Sequence, residues 1–304
     1  MKKRIGLTGG TGFIGQYLIR DHGDEFDFVV ATSRDDCTGF SPKAEYRKTT
    51  YDLDGFIDAF GGCDAVVHLG AAVPKNVNEV GSMADYYSNV LCSEMLFLAA
   101  GKIGIEQIIN ISSVSVYQKS GPMPLRESLP IEPDNSYGLS KAMVELMSQL
   151  YRKKFGYSVT TLRVSQVLGC KKNMARGFYW MLLTNALRNK EITICGRGAA
   201  ARDYIYVRDV AGAIACALTN PDHSGVYNIG SGKATSNLEL AEAYIAGMNS
   251  SSPIVHIETE HEDSRYWYMD TSKAEEALGF TPAYDPVSMA RDMKREMESA
   301  NGEL

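Results

Sequence analysis

Short apolar runs alternate with longer stretches of helical spacing through the first half of this chain. Residues 4–8, 26–32, 65–69, 107–112 and 158–163 are rich in Val, Ile, Leu and Phe and read as strands. Stretches 13–21, 83–102 and 137–155 repeat apolar residues every three or four positions, the spacing of a helix face. Leu91, Met95 and Leu98 share one such face in the second stretch. This alternation predicts a parallel sheet covered on both faces, an α/β doubly wound fold with right-handed crossovers. Beyond Gly169 the pattern loosens. Residues 178–189, 210–218 and 272–278 read as helical, 204–207 and 226–229 as extended, and Ser250-Ser251-Ser252-Pro253 as a loop. The expected division is a sheet domain over 1–169 and a smaller mixed α/β lobe over 170–304, with segments near 204–232 returning to the sheet.

The 304 residues are 44% hydrophobic and 22% charged, enough for a buried core without disulfides or metal. A net charge of −6 gives no bulk attraction to nucleic acid or an anionic membrane, so local groups must hold any anionic ligand. The six cysteines are scattered without a Cys-x-x-Cys pair, which argues against a zinc site and for a reducing compartment. The basic start, Met1-Lys2-Lys3-Arg4, leads into an apolar stretch that breaks at Gly9-Gly10 and so reads as a strand, not a signal peptide. No apolar run reaches the roughly 18 residues of a membrane span. The expectation is a cytoplasmic protein with a small-molecule ligand and no metal.

In doubly wound sheets ligands bind beyond the carboxyl ends of the strands. Three segments fall at such ends: Thr8-Gly9-Gly10-Thr11-Gly12-Phe13-Ile14-Gly15, Leu69-Gly70-Ala71-Ala72 and Ser112-Ser113. In the first, Gly9 allows a tight exit from the strand, Gly12 lets backbone approach a pyrophosphate, and Gly15 lets the helix pack on the sheet. The helix N-terminus then offers free N–H groups to the phosphates. This is the Rossmann arrangement for a dinucleotide, with Thr11, Phe13 and Ile14 inside the turn. No acid closes the second strand, which ends Thr32-Ser33-Arg34. Ser33 and Arg34 suit a 2′-phosphate and lean the cofactor from NAD toward NADP, although Asp35 and Asp36 follow and would oppose it. Asp52 and Leu53 could bracket the adenine, and Ile111 lies beside the serines on the cofactor side.

The chemistry-bearing set is Ser113, Tyr137 and Lys141. A tyrosine is a poor base at its ordinary pKa of about 10, and a lysine one helical turn on shares its face. The expectation is that the Lys141 charge lowers the Tyr137 pKa while Ser113 bonds the substrate oxygen. Tyr117 reads as a core aromatic and His68 as a structural histidine closing an apolar strand.

Together these residues resemble the extended short-chain dehydrogenase/reductases, specifically the NAD-dependent epimerase/dehydratase family. Gly9, Gly12 and Gly15 match its GxxGxxG, Asp52-Leu53 its adenine pair, and Leu69 to Ala72 the strand end that passes the cofactor. Asn89 matches an asparagine on its next helix. Ser113, Tyr137 and Lys141 match its catalytic triad. Residues 202–210 resemble its RDxIxVxDV segment, 227–232 its YNIGSG, and 270–282 its closing D-x-S-K-A…LG-x-x-P.

The resemblance implies that Arg202 contacts a substrate diphosphate. A second arginine, usual some ten residues before D-x-S-K-A, is replaced by Glu260, with Arg265 nearby. Gln166 stands where an asparagine is usual. The dehydratase branch carries Asp-Glu after the serine, and this chain has Val114-Ser115, which discounts water elimination. The expected function is a nucleotide-sugar epimerase acting at C4 through a ketone. Its rivals are an NADP-dependent carbonyl reductase and a non-catalytic dinucleotide sensor. The helices over 83–102 and 137–155 commonly pair across a homodimer in the family.

Overall fold

The computed structural model describes residues 2–74, 80–170, 177–260 and 263–299. Seven parallel strands form the main sheet: β1 (Arg4–Thr8), β2 (Asp27–Thr32), β3 (Ala44–Lys48), β4 (Ala65–His68), β5 (Gln107–Ser113), β6 (Ser158–Val164) and, from the second half of the chain, the strand Gly225–Ile229. Their spatial order puts Gly225–Ile229 at one edge beside β6, then β5, β4, β1, β2 and β3. The order reverses beside β1, so the ends of β1, β4 and β5 open onto one crevice.

Neighbouring residues of each strand face opposite layers. Leu7, Val30, Val67 and Ile109 pack on one side, beneath α1 (Phe13–His22). Val29, Val66 and Ile108 pack on the other, beneath α2 (Leu53–Phe60), α3 (Tyr87–Ile103) and α4 (Ser136–Phe155). All seven strand side chains are essentially inaccessible. Each contributes about 1.5–3 kcal/mol by leaving water, which is why these runs read as continuous apolar segments. The Asn135 side chain caps α4 by accepting from the Gly138 N–H at 2.8 Å, and Gly156 ends it in the left-handed conformation.

After β6 come β7 (Gln166–Leu168), α5 (Phe178–Leu187), β8 (Ile192–Cys195), β9 (Ala201–Tyr206) and α6 (Val207–Thr219). The main-sheet edge strand follows as β10 (Gly225–Ile229). The chain closes with β11 (Ala234–Ser236), α7 (Asn237–Met248), β12 (Ile254–Ile257), β13 (Tyr266–Trp267), α8 (Ser272–Leu278) and α9 (Pro286–Ser299). β9 pairs with β7, β11 and β13 in a small mixed sheet, and β12 pairs with β8. Among the described residues no helix is long and apolar enough to cross a membrane.

Two differences from the sequence reading have local causes. The helix expected over 83–102 is broken. Ser82 and Asp85 form a capping box around a short turn, Met83–Asp85, and α3 starts only at Tyr87. The elements β3 and α2 were not named from the sequence. β3 is an edge strand of sequence AEYRK, and the eight-residue α2 has Gly55 inside it.

Candidate active site

The turn after β1 is packed glycine on glycine. Gly9 has a φ of 69°, and a Cβ there would sit 2.7 Å from the Gly70 nitrogen. A Cβ on Gly15 would meet the Gly9 oxygen at 2.5 Å. The turn therefore closes directly on the Leu69–Gly70 loop. Gly12 caps α1 with no side-chain acceptor, and the first turn of α1 carries no acid. The positive end of the α1 dipole thus faces the crevice with no side-chain anion built against it, so the cradle fits a dinucleotide pyrophosphate.

Hydrogen bonds fix the loop on the far side of the crevice. Gly70 N–H donates to the Thr8 hydroxyl at 3.0 Å, and Thr8 contacts His68 Nδ1 at 2.7 Å. His68 Nε2 meets the Ser93 hydroxyl at 2.8 Å, which itself donates to the Asn89 carbonyl. Because Ser93 spends its proton on Asn89, Nε2 must carry the imidazole hydrogen, and Thr8 donates to Nδ1. Burial holds His68 neutral, its pKa pushed down to about 3. Asn89 also accepts from Ala72 N–H at 2.7 Å, donates to the Ala72 carbonyl at 3.0 Å, and reaches Ser140 on α4.

The adenosine end is more open. Asp52 caps α2 by accepting from Gly55 N–H at 2.8 Å, with Leu53 opening the helix. Ser33 and Arg34 are exposed. The Arg34 guanidinium lies 5.6 Å from the Phe40 ring centre. The two acids after it are already engaged, Asp35 by Lys48 and Asp36 by the Thr38 N–H and hydroxyl.

Ser113, Tyr137 and Lys141 converge where β5 meets α4. Ser113 accepts from the Ser115 N–H at 3.1 Å, and its side chain lowers the pKa of the neighbouring Tyr137 phenol. Lys141 is buried, and its ammonium donates to the Ile111 carbonyl at 2.8 Å, 6.0 Å from the Tyr137 ring centre. The electrostatics correct the expectation for Tyr137. Burial dominates and pushes its pKa up to about 12, the Ser113 side chain opposes this, and the neighbouring Tyr86 ring adds to the rise. Lys141 does not offset that burial. Desolvation lowers its own pKa to about 8, against the raising effect of Glu145.

On the substrate side, Arg202 leaves β9 nearly buried and pairs with Asp263 at 2.8 Å. Arg265 also binds Asp263, so one carboxylate bridges both arginines and is held well ionised, its pKa near 2. Gln166 sits opposite Tyr204 in the β7–β9 pairing, two residues from Arg202. Asp203, next to Arg202, is fully buried and accepts from Ser231, Gly232 and Met269 N–H groups, which fastens the turn after β10 to the small sheet.

The model of the NAD dependent epimerase/dehydratase family matches residues 5–230, most of the chain. The chain belongs to the NAD-dependent epimerase/dehydratase family. A Methanocaldococcus jannaschii relative, provisionally named a UDP-glucose 4-epimerase, is 30% identical over 92% of this chain and 93% of its own length. The dTDP-glucose 4,6-dehydratase of Streptomyces niveus is 26% identical over 92% of this chain and 88% of its own. The UDP-N-acetylglucosamine 4-epimerase of Bacillus cereus superposes with a TM-score of 0.86 at 27% identity, covering 98% of this chain and 97% of that one. Family membership makes the chain an NAD-dependent type of enzyme, and its relatives span more than one reaction.

Some site residues of this family member escaped the sequence reading. Tyr86 packs edge-on against Tyr137 at 5.8 Å, but lies in the segment where the helix was expected to run unbroken. Asp263 carries no periodic signal. Glu145 and Arg163 had one: Glu145 follows Lys141 by a helical turn, on the same face.

Proposed function

We propose that this enzyme epimerises a nucleotide sugar at C4 through a transient ketone. The observation that carries the reading is the convergence of Ser113, Tyr137 and Lys141 at the end of β5, beneath a glycine cradle, with no carboxylate at 114 or 115. Bound in that cradle, NAD or NADP supplies a reversible hydride acceptor whose oxidised ring favours an ionised phenol. Gly9, Thr11, Gly12, Phe13, Ile14 and Gly15 hold its pyrophosphate, Asp52 and Leu53 its adenine, and residues 69–72 with Ile111 line its path. Tyr137 takes the C4 hydroxyl proton and returns it after the ketone has turned. Ser113 holds the oxygen within reach of the phenol, and Lys141 holds a ribose hydroxyl. The phenol's raised pKa suits the proton-returning half, because the ketone oxygen needs a protonated donor at neutral pH.

The lobe over 170–304 seats the substrate in this reading. Arg202 and Arg265 take a diphosphate in place of the Asp263 carboxylate, and Gln166 faces the sugar. A UDP-sugar is the substrate class, in keeping with the names of the 4-epimerase relatives. Arg34 favours NADP over NAD, with Asp35 paired to Lys48 and only the ionised Asp36 left to oppose a 2′-phosphate. The same arginine supports the second reading, an NADP-dependent ketone reductase. Tyr87 and Leu91 on α3, with Leu139, Leu146 and Leu150 on α4, form an exposed apolar strip that suits a homodimer.

The test is a panel of UDP-hexoses followed by NMR and absorbance near 340 nm. Interconversion of C4 epimers at constant absorbance supports epimerisation. Stoichiometric NADPH consumption transfers the case to the reductase, and no turnover on any ketone or hydroxyl substrate removes both.

A further inference from the structure

Beneath the catalytic set lies a fully buried charge pair that no step above uses. Glu145 on α4 and Arg163 on β6 have side chains only 5% and 4% exposed. The guanidinium grips the carboxylate as a fork: Nε to Oε1 at 3.0 Å and Nη2 to Oε2 at 2.7 Å. The remaining nitrogen, Nη1, donates to the Tyr117 hydroxyl at 2.8 Å, which donates onward to Asn228 Oδ1 at 2.8 Å on β10. The Ser112 hydroxyl donates to the same Glu145 carboxylate.

Such a pair adds little net stability, because the cost of taking two charges out of water offsets most of their attraction. Its placement points to another role. Ile111 and Ser112 are consecutive on β5, and each is bonded to a successive turn of α4: the Ile111 carbonyl to Lys141, the Ser112 hydroxyl to Glu145. Ser113 is the next residue of β5, and Tyr137 is one turn before Lys141 on α4. We propose that Glu145 and Arg163 are a positioning pair that sets the spacing between Ser113 on β5 and Tyr137 with Lys141 on α4. Tyr117 extends the brace. It closes the loop that leaves Ser113, and through Asn228 it reaches the carbonyls of Leu125 and Asp270. The Glu145 charge also opposes the desolvation of Lys141. This inference rests on reading Ser113, Tyr137 and Lys141 as catalytic.

The experiment separates bracing from stability by replacing the network with apolar side chains. Ser112→Ala, Glu145→Leu and Arg163→Met are combined in one variant, so that no buried charge or hydroxyl of the pair is left unpartnered. Melting temperature, coenzyme affinity by fluorescence, and kcat and KM on the UDP-sugar turned over are measured. The expected result is an unchanged melting temperature and KM, coenzyme binding weakened only as far as Lys141 loses the Glu145 charge, and kcat lowered by about tenfold or more, a loss that Glu145→Asp, which keeps that charge, reproduces. Wild-type kcat in a stably folded variant overturns the proposal. Should the triple variant fail to fold, Glu145→Asp keeps the charge and draws the carboxylate back by one methylene; unaltered kcat there also overturns it. Tyr137→Phe run alongside distinguishes the failures. An active Tyr137→Phe sinks the catalytic reading itself, whereas an inactive one beside a fully active network variant sinks the positioning role alone.

Discussion

Gly138, the residue after Tyr137, is where packing and chemistry meet most closely. It lies in the first turn of α4, where alanine is intrinsically favoured over glycine by about 1 kcal/mol. A Cβ at that position would nevertheless fall 2.0 Å from the Ser115 carbonyl oxygen and 2.8 Å from the Ser115 carbonyl carbon. Both atoms are backbone, in the short turn that begins at Ser113, so no side chain can swing aside. Relief requires the α4 N-terminus and the Ser113 turn to part by about 1 Å, and overpacking of that kind costs about 1–3 kcal/mol. Set against the propensity gain, the net destabilisation is about 0–2 kcal/mol, a loss of a few degrees in melting temperature. The catalytic effect is larger. A shift of about 1 Å between reacting groups costs about a hundredfold in rate, or roughly 2.7 kcal/mol. Gly138→Ala is therefore expected to keep its circular dichroism spectrum and coenzyme binding while kcat falls about a hundredfold. The assay is steady-state turnover of the UDP-hexose beside a thermal melt. A variant with wild-type kcat and melting temperature would refute the close-approach reasoning.

Other consequences follow from the same geometry. Arg34→Ala should weaken NADP by about tenfold while leaving NAD unchanged, as one charge-assisted phosphate contact is lost; equal effects on both coenzymes in a titration would remove the case for a 2′-phosphate seat. Leu146→Glu with Leu150→Glu places two charges on the apolar strip of α4 and should yield a monomer by analytical ultracentrifugation. His68 gives a pH dependence of known sign. Its folded pKa, about 3, lies below the unfolded value of 6.5, so its contribution is complete above pH 6.5. As pH falls from 6.5 toward 3 that contribution is lost by up to about 1.4 kcal/mol per unit. His68→Gln should flatten the fall in unfolding free energy over that window by about one proton, and an unaltered slope would contradict the neutral buried imidazole.

The doubly wound fold was legible because its central strands are buried on both faces. Val66-Val67 and Ile108-Ile109 each serve one layer with one residue, so they stand out as unbroken apolar runs. Edge elements were not legible, for the converse reason. β3 is half exposed, and its polar residues answer to solvent and to pairs such as Arg4–Glu45. Motif spacing brought Ser113, Tyr137 and Lys141 to one place, because a turn of helix and a strand end are rigid rulers. Spacing could not give the field at Tyr137. That depends on how deeply α4 is buried, and on Lys141 spending a bond on the Ile111 carbonyl. Nor could it show Asp263 bridging Arg202 and Arg265, since that contact joins β9 to a segment some 60 residues away with no periodic pattern.

The central claim is that Tyr137 moves the C4 hydroxyl proton while the C4 hydrogen itself never leaves the crevice. A UDP-hexose carrying deuterium at C4 tests it directly, followed by NMR in ordinary water with coenzyme absorbance recorded in parallel. The account predicts a C4 epimer that keeps its deuterium, no net coenzyme change, and no product from Tyr137→Phe. Deuterium washed out to solvent, or an epimer formed at the wild-type rate by Tyr137→Phe, would contradict it.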